Sequence, residues 1–163
     1  MILIALGSNL VGPFGSSRQS ILTAIAEMQR QGITLIKSSS LMATTPYGRL
    51  NQPDFINAVV QVETRKSPDA LIRCLHRIER MAGRRRGLRW GPRTLDLDIL
   101  DYHGLVRKPA KTSIKPLALP HPGIGQRSFV LMPLLEIAPR WKHPVHHVSA
   151  ALMLRKLYGL KPN

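Results

Sequence analysis

The apolar residues of this chain change period as it proceeds, and that change leaves few folds open. "FINAVVQVET" (55–64) alternates strictly, with Ile56, Ala58, Val60 and Val62 on one face, and "TLDLDILDY" (94–102) does the same with Leu95, Leu97 and Ile99. Both patterns describe strands with one buried face. Between them Ser67 is a good N-cap, Pro68 suits the first helical position, and Leu71, Leu75, Ile78 and Ala82 recur at helical spacing up to Gly83. Upstream, "ILIAL" (2–6) reads as a short buried strand. A helix follows, with a capping box at Ser16 and Gln19, apolar Ile21, Ile25 and Met28, and a stop at Gly32. "ITLIKS" (33–38) reads as another strand, and "TTPYGRLNQPD" as a loop.

The resulting order is βαββαβ. It predicts an α+β fold with a ferredoxin-like core: an antiparallel sheet, both helices on one face, and the other face available for a site. From about residue 104 the chain is Pro-rich and irregular, with short helices expected near 126–135 and 149–158 that cover part of the open face. No repeat or linker-like shift in composition divides it, so one domain over 1–163 is expected. "MILIAL" lacks the basic flank and length of a signal peptide or membrane span, and Cys74 is the single cysteine. A soluble cytoplasmic protein, a monomer with no membrane partner, is expected.

The 24 Lys and Arg against nine acids give a formal charge of +15. Such an excess implies a polyanionic partner or substrate: nucleic acid, anionic lipid or a phosphorylated small molecule. Against that background Asp96 and Asp98 stand out. On a strand they share a face, Cα atoms roughly 7 Å apart, opposite the aliphatic residues. Two hard oxygen ligands that leave positions for water and phosphate suit a Mg²⁺ nucleotide site. Just before them, "GRRRGLRWGPR" carries Arg84, Arg85, Arg86, Arg89 and Arg93 between glycines, a loop whose guanidinium forks can grip phosphate oxygens. Phe55 and Asn57 fall on the same open face, a ring beside an amide that can hold and read a planar heterocycle. Glu79 lies at the edge of its helix's apolar stripe, where it can orient an arginine or a nucleotide. "LPHPGIGQRSF" adds His121, held between prolines, with Arg127 and Phe129 at a helix start where anions bind readily. His143, His146 and His147 lack acid or cysteine partners and read as surface histidines.

"RWGPRTLDLDIL" closely resembles the signature of the 6-hydroxymethyl-7,8-dihydropterin pyrophosphokinase family. "ALGSNL", "QPDFINAV" and "LPHP" resemble further blocks of that family in its order, so the likeness covers nearly the whole chain. It implies ATP-dependent transfer of a pyrophosphoryl group to the hydroxymethyl oxygen of the dihydropterin in folate biosynthesis, releasing AMP. Mg²⁺, two ions with ATP, would sit on Asp96 and Asp98. The resemblance further implies a pterin pocket of Thr44, Thr45, Tyr47, Phe55, Asn57 and Phe129, with the ring between Phe55 and Phe129. It puts Glu79, Arg84, Arg86, Arg89, Trp90, Arg93, Ile99, His121 and Arg127 on the ATP side, with Arg84, Arg86 and Arg93 acting in the transfer. Met42, Ala43 and Thr45 depart from the family's usual residues, as do His76, Pro116, Ala118 and Pro122 at positions that can contact the nucleotide. Lys108, Lys111 and Lys115 add charge beyond what ATP requires. The rival is a basic nucleic-acid-binding module, because βαββαβ sheets often bind RNA on the open face. It predicts stacking aromatics in a Lys/Arg-Gly-Phe/Tyr pattern, where this sequence has carboxylates, so nucleic acid is not the expected partner of that face.

Overall fold

The computed structural model describes residues 1–46, 51–85, 91–109 and 117–160. Among these residues five strands and four α-helices follow one another as β1 (Ile2–Ser8), α1 (Ser17–Arg30), β2 (Thr34–Ser38), β3 (Met42–Thr44), β4 (Phe55–Glu63), α2 (Pro68–Met81), β5 (Asp96–Tyr102), α3 (Ser128–Ile137) and α4 (Ala150–Leu157), with a 3₁₀ turn at Ile124–Gln126. Helix α1 starts where its capping box dictates: Ser16 Oγ accepts from the Gln19 N–H, and Gln19 Oε1 accepts from the Ser16 N–H at 2.8 Å. Ser67 Oγ caps α2 through the Ala70 N–H, and Pro68 opens that helix without losing a needed donor.

The strands run in the order β2-β4-β1-β5, each pair antiparallel, which is the order a ferredoxin-like βαββαβ chain must adopt. Helices α1 and α2 cover one face. There Ile2, Ile4, Leu6, Val60, Val62, Leu97 and Ile99 pack on Ile21, Met28, Leu71, Leu75 and Ile78, all at most 2% exposed. The alternation read from the sequence therefore marks the correct face on both long strands.

The other face is half covered. Leu3, Val59 and Leu100 form a second core with Val130, Leu131 and Leu134 of α3, Trp141, and Met153 of α4. A register shift opposite Leu3 and Ile4 turns both Leu100 and Asp101 towards this layer, and Asp101 Oδ2 accepts from the Trp141 indole N–H at 2.7 Å. The C-terminal extension is thus bolted over one end of the sheet, and the site lies at the other.

Three details differ from expectation. Strand β3 lies between the strand expected at 33–38 and the loop expected from Thr44, where no element is expected, and pairs Met42 with Asn57, Ala43 with Ile56 and Thr44 with Phe55; three residues are too few to display a period. Strand β5 begins at Asp96 rather than 94, because the Thr94 carbonyl is taken by Ser8 Oγ at 2.7 Å. His143 is buried, not a surface histidine. Its Nδ1 accepts from the Val145 and His146 N–H groups and its ring stands edge-on to Trp141, so it organises a turn, while His146 and His147 are exposed. Among the described residues no cluster of three or more His, Cys, Asp or Glu could hold a metal, and no helix is long and apolar enough to cross a membrane.

Candidate active site

Along β1 and β5 the side chains of the sheet face shrink or turn polar towards its uncovered end. On β1 the series is Leu3, Ala5, Gly7; on β5 it is Leu100, Asp98, Asp96; on β4 it is Val59, Asn57, Phe55. The first hollows the centre, the second charges one wall, and the third supplies an amide and a ring at the other. A cavity results, lined by Ala5, Gly7, Phe55, Asn57, Asp96 and Asp98, with Phe129 and Arg127 overhanging from the start of α3. Gly7 leaves room for the amide: a Cβ there would meet Asn57 Oδ1 at 3.1 Å, a tight contact that would press on the Asn57 side chain. Thr44 and Thr45 complete the wall, and Asn57 Nδ2 donates to Thr44 Oγ1 at 2.7 Å, which fixes the amide's orientation.

The "SN" at the end of β1 ties the two site loops together. Asn9 is 3% exposed; its Nδ2 donates to Gln52 Oε1 and to the Pro53 carbonyl at 3.0 Å, while its Oδ1 accepts from the Arg93 N–H at 2.8 Å. Arg93 is held in turn against Asp96. Sequence reasoning treated these residues only as part of a resembling block. A polar pair closing a mostly buried strand, with no helix start to cap, was the available signal.

Asp96 and Asp98 do share the face, in different company. Asp96 pairs with Arg93 and with Arg84, the latter at 2.7 Å. Among the described residues Asp98 has no cation so close: Arg127 Nη1 stands at 3.6 Å and His121 Nε2 at 3.7 Å. Burial and the adjacent Asp96 push its carboxyl upward. Burial lowers the His121 pKa, and because its Nδ1 accepts from the Gly123 N–H at 3.0 Å, the neutral ring carries its proton on Nε2, facing Asp98. A carboxylate pair with one member incompletely neutralised fits a hard divalent cation. With Nε2 protonated, the donor set is oxygen only, which favours Mg²⁺ completed by substrate oxygens over zinc.

Glu79 reaches under the strand from α2. It is 2% exposed, its Oε1 accepts from the Leu97 N–H at 2.8 Å, and it pairs with Arg84, so it grips the residue between the two aspartates together with the arginine that touches one of them. Burial pushes its pKa up to about 7. Arg84 is partly withdrawn as well, yet Asp96 and Glu79 raise its pKa.

A second cavity adjoins the first. Ile72 and His76 of α2, Leu117, Ala118, His121, Pro122 and the Ile99 edge of β5 line it, and Asp98 stands where the two meet. The structure thus gathers Thr44, Thr45, Phe55, Asn57, Arg93, Asp96, Asp98, Arg127 and Phe129 around one cavity and Ile99 and His121 around its neighbour, with Glu79 and Arg84 behind the wall. Tyr47, Arg86, Arg89 and Trp90 of the expected site lie outside the described residues, as do Lys111, Lys115 and Pro116.

Comparisons with known proteins match this arrangement. The family model described as 7,8-dihydro-6-hydroxymethylpterin-pyrophosphokinase (HPPK) matches residues 3–139. The 2-amino-4-hydroxy-6-hydroxymethyldihydropteridine pyrophosphokinase of Haemophilus influenzae is 42% identical over 135 residues, 83% of this chain and 79% of that protein. The Pseudomonas aeruginosa protein of the same description is 39% identical over 88% of this chain and 83% of its own length. Longer relatives are matched only in part: the folic acid synthesis protein fol1 of Pneumocystis carinii is 38% identical over 99% of this chain, which spans 21% of that protein. The solved HPPK-DHPS structure of Plasmodium falciparum superimposes with a TM-score of 0.70 at 16% identity, over 95% of this chain and 43% of that one, a likeness of fold. By the family model and the two bacterial relatives, the chain belongs to the 7,8-dihydro-6-hydroxymethylpterin-pyrophosphokinase family.

Proposed function

We propose that this protein transfers the pyrophosphoryl group of ATP to the hydroxymethyl oxygen of 6-hydroxymethyl-7,8-dihydropterin and releases AMP. The observation that carries the reading is that Asp98 lines both cavities, so two ligands laid in them meet at the carboxylate pair. A flat bicyclic ring suits the first cavity: Phe55 and Phe129 offer stacking faces, and Asn57, oriented by Thr44, reads the polar edge. Tyr47 is assigned to the same pocket. The second cavity, apolar apart from His76, Asp98 and His121, suits a purine.

The reaction asks the protein for alignment and charge stabilisation rather than for a nucleophile. The substrate hydroxyl oxygen attacks the β-phosphorus in line and gives up its proton to solvent, the bond from that phosphorus to the α-phosphate oxygen breaks, and AMP leaves. Arg84, Arg93 and Arg127, with Arg86, Arg89 and Trp90, hold phosphate oxygens as charge moves from attacking to leaving oxygen. His121 donates from Nε2 to a phosphate oxygen. Asp96 and Asp98 would hold Mg²⁺, two ions with ATP, which when bound supplies positive charge to the transferring phosphates. Ile99 bounds the base, and Glu79 acts on the ATP side by positioning Arg84 and the Asp96–Asp98 segment. The sheet face serves small molecules rather than nucleic acid. We further assign residues 1–163 to one domain that works as a cytoplasmic monomer.

The test is a coupled assay with ATP, Mg²⁺ and the reduced hydroxymethylpterin. AMP and the pterin diphosphate are the expected products; ADP, or no turnover, would overturn the proposal.

A further inference from the structure

The protein's positive charge exceeds what its phosphate site uses, and the structure shows where one concentrated part of it lies. All nine acids lie among the described residues, and most are engaged. Glu79 and Asp96 pair with Arg84 and Arg93, and Asp98 faces Arg127 and His121. Asp101 takes the Trp141 indole and Glu136 takes Ser40, while Glu27 pairs with Arg30 and Asp69 with Arg107. Only Asp54 and Glu63 remain, and neither is on α2.

On α2, Arg73, Arg77 and Arg80 are exposed, and none has an ion pair within 4 Å among the described residues. Their spacing makes a row. At 1.5 Å rise per residue Arg77 stands about 6 Å and Arg80 about 10 Å along the axis from Arg73. At 3.6 residues per turn the three lie about 40° (Arg80), 60° (Arg73) and 100° (Arg77) round the helix beyond His76. Ile72 and His76 line the second cavity from this same helix, while Leu71, Cys74, Leu75, Ile78 and Glu79 face the core. The arginine row therefore flanks the wall of that cavity on its solvent side.

We propose that Arg73, Arg77 and Arg80 steer the anionic nucleotide into the second cavity. The inference rests on reading that cavity as the nucleotide site. A triphosphate approaching the lip meets a row that is positive on balance: Asp69, paired with Arg107, also offsets part of the Arg73 charge, while Arg77 and Arg80 have no ion pair within 4 Å among the described residues, and low-dielectric walls beside the row focus the field outward. Attraction of this kind raises the rate of encounter and leaves the bound state unchanged, because none of the three side chains lines either cavity. A charged surface of this strength also attracts nucleic acid, but its position beside the cavity favours the small ligand.

The test is the triple variant Arg73→Gln, Arg77→Gln, Arg80→Gln, which keeps helix-forming side chains and removes three charges. Stopped-flow association of a ribose-labelled fluorescent ATP with Mg²⁺ is followed against ionic strength, without pterin. The association rate should fall about fivefold at ~0.01 M salt and approach the wild-type rate at ~0.5 M, where screening confines the field to a few ångströms. Dissociation rate, melting temperature and turnover at saturating ATP should match wild type. Equal association rates at low salt would overturn the steering, and so would a faster dissociation rate, which would mean direct contact with bound nucleotide. Unchanged nucleotide association with lost binding of a 20-base-pair duplex would hand the row to nucleic acid and overturn it too. Wild-type protein that takes up no nucleotide at any salt would remove the pyrophosphokinase reading itself, and the steering with it.

Discussion

Replacing Glu79 with Gln should change how stability depends on pH, by an amount the structure allows to be worked out. Gln copies the shape of the protonated acid and keeps an oxygen for the Leu97 N–H, so the substitution chiefly deletes the ionisation. Burial raises the Glu79 pKa from 4.5 to about 7 in the folded chain. A group whose folded pKa is raised binds more protons folded than unfolded, so its stabilising contribution is complete below pH 4.5 and is lost as pH climbs through about 7. At about 1.4 kcal/mol per pH unit, that interval amounts to roughly 3 kcal/mol. Other titrating groups act alike in both proteins and cancel in the difference. Urea unfolding of wild type and Glu79→Gln from pH 4 to pH 8, free of nucleotide and metal, should show the variant gaining on wild type by roughly 3 kcal/mol across that range. Two curves that stay parallel within about 0.5 kcal/mol would refute the reasoning, because Glu79 would then ionise at its ordinary pKa despite its burial.

Other substitutions probe the remaining parts of the site. Asp98→Ala should lower turnover by on the order of a thousandfold through lost metal charge, with an unchanged circular dichroism spectrum; turnover within a few-fold of wild type would remove the metal assignment. Asn57→Ala should weaken pterin binding, measured by titration with nucleotide already bound, by roughly 1 to 3 kcal/mol, since the polar edge of a buried ring loses its partner. Trp141→Phe should cost about 1 to 3 kcal/mol in urea unfolding by stripping a donor from the buried Asp101 carboxylate, and a change below about 0.5 kcal/mol would deny that bond its anchoring role.

How much of this could be read in advance depended on how many residues carried each signal. Strands β4 and β5 and both long helices announce themselves because each repeats its pattern several times, and the caps at Ser16 and Ser67 are local chemistry that tertiary structure leaves alone. The α3 and α4 layer was foreseen only as a partial cover. Its grip depends on Asp101 meeting Trp141, 40 residues later in the chain, a pairing that no period encodes. Asp96 and Asp98 were legible because acids are rare in strands and rarer in so basic a chain. Their difference was not legible, since it comes from Arg84 and Arg93 converging on one carboxylate and not the other.

The same limit explains Glu79. A wheel puts it at the edge of an apolar stripe, where an exposed acid and a buried strut look alike, and only the position of β5 beneath α2 distinguishes them. Once that contact is known, two cationic roles on α2 and its extension separate. Arg84 is held inward by Glu79 and Asp96 and is available to phosphate only at the site itself. Arg73, Arg77 and Arg80 face solvent and make no ion pair within 4 Å among the described residues, although Asp69 offsets part of the Arg73 charge, so their net field extends outward about a Debye length, roughly 10 Å at 0.1 M salt. A single arginine-rich stretch of sequence therefore does two kinds of electrostatic work, set by which side chains have an acid within reach, and a count of charges could not have divided them.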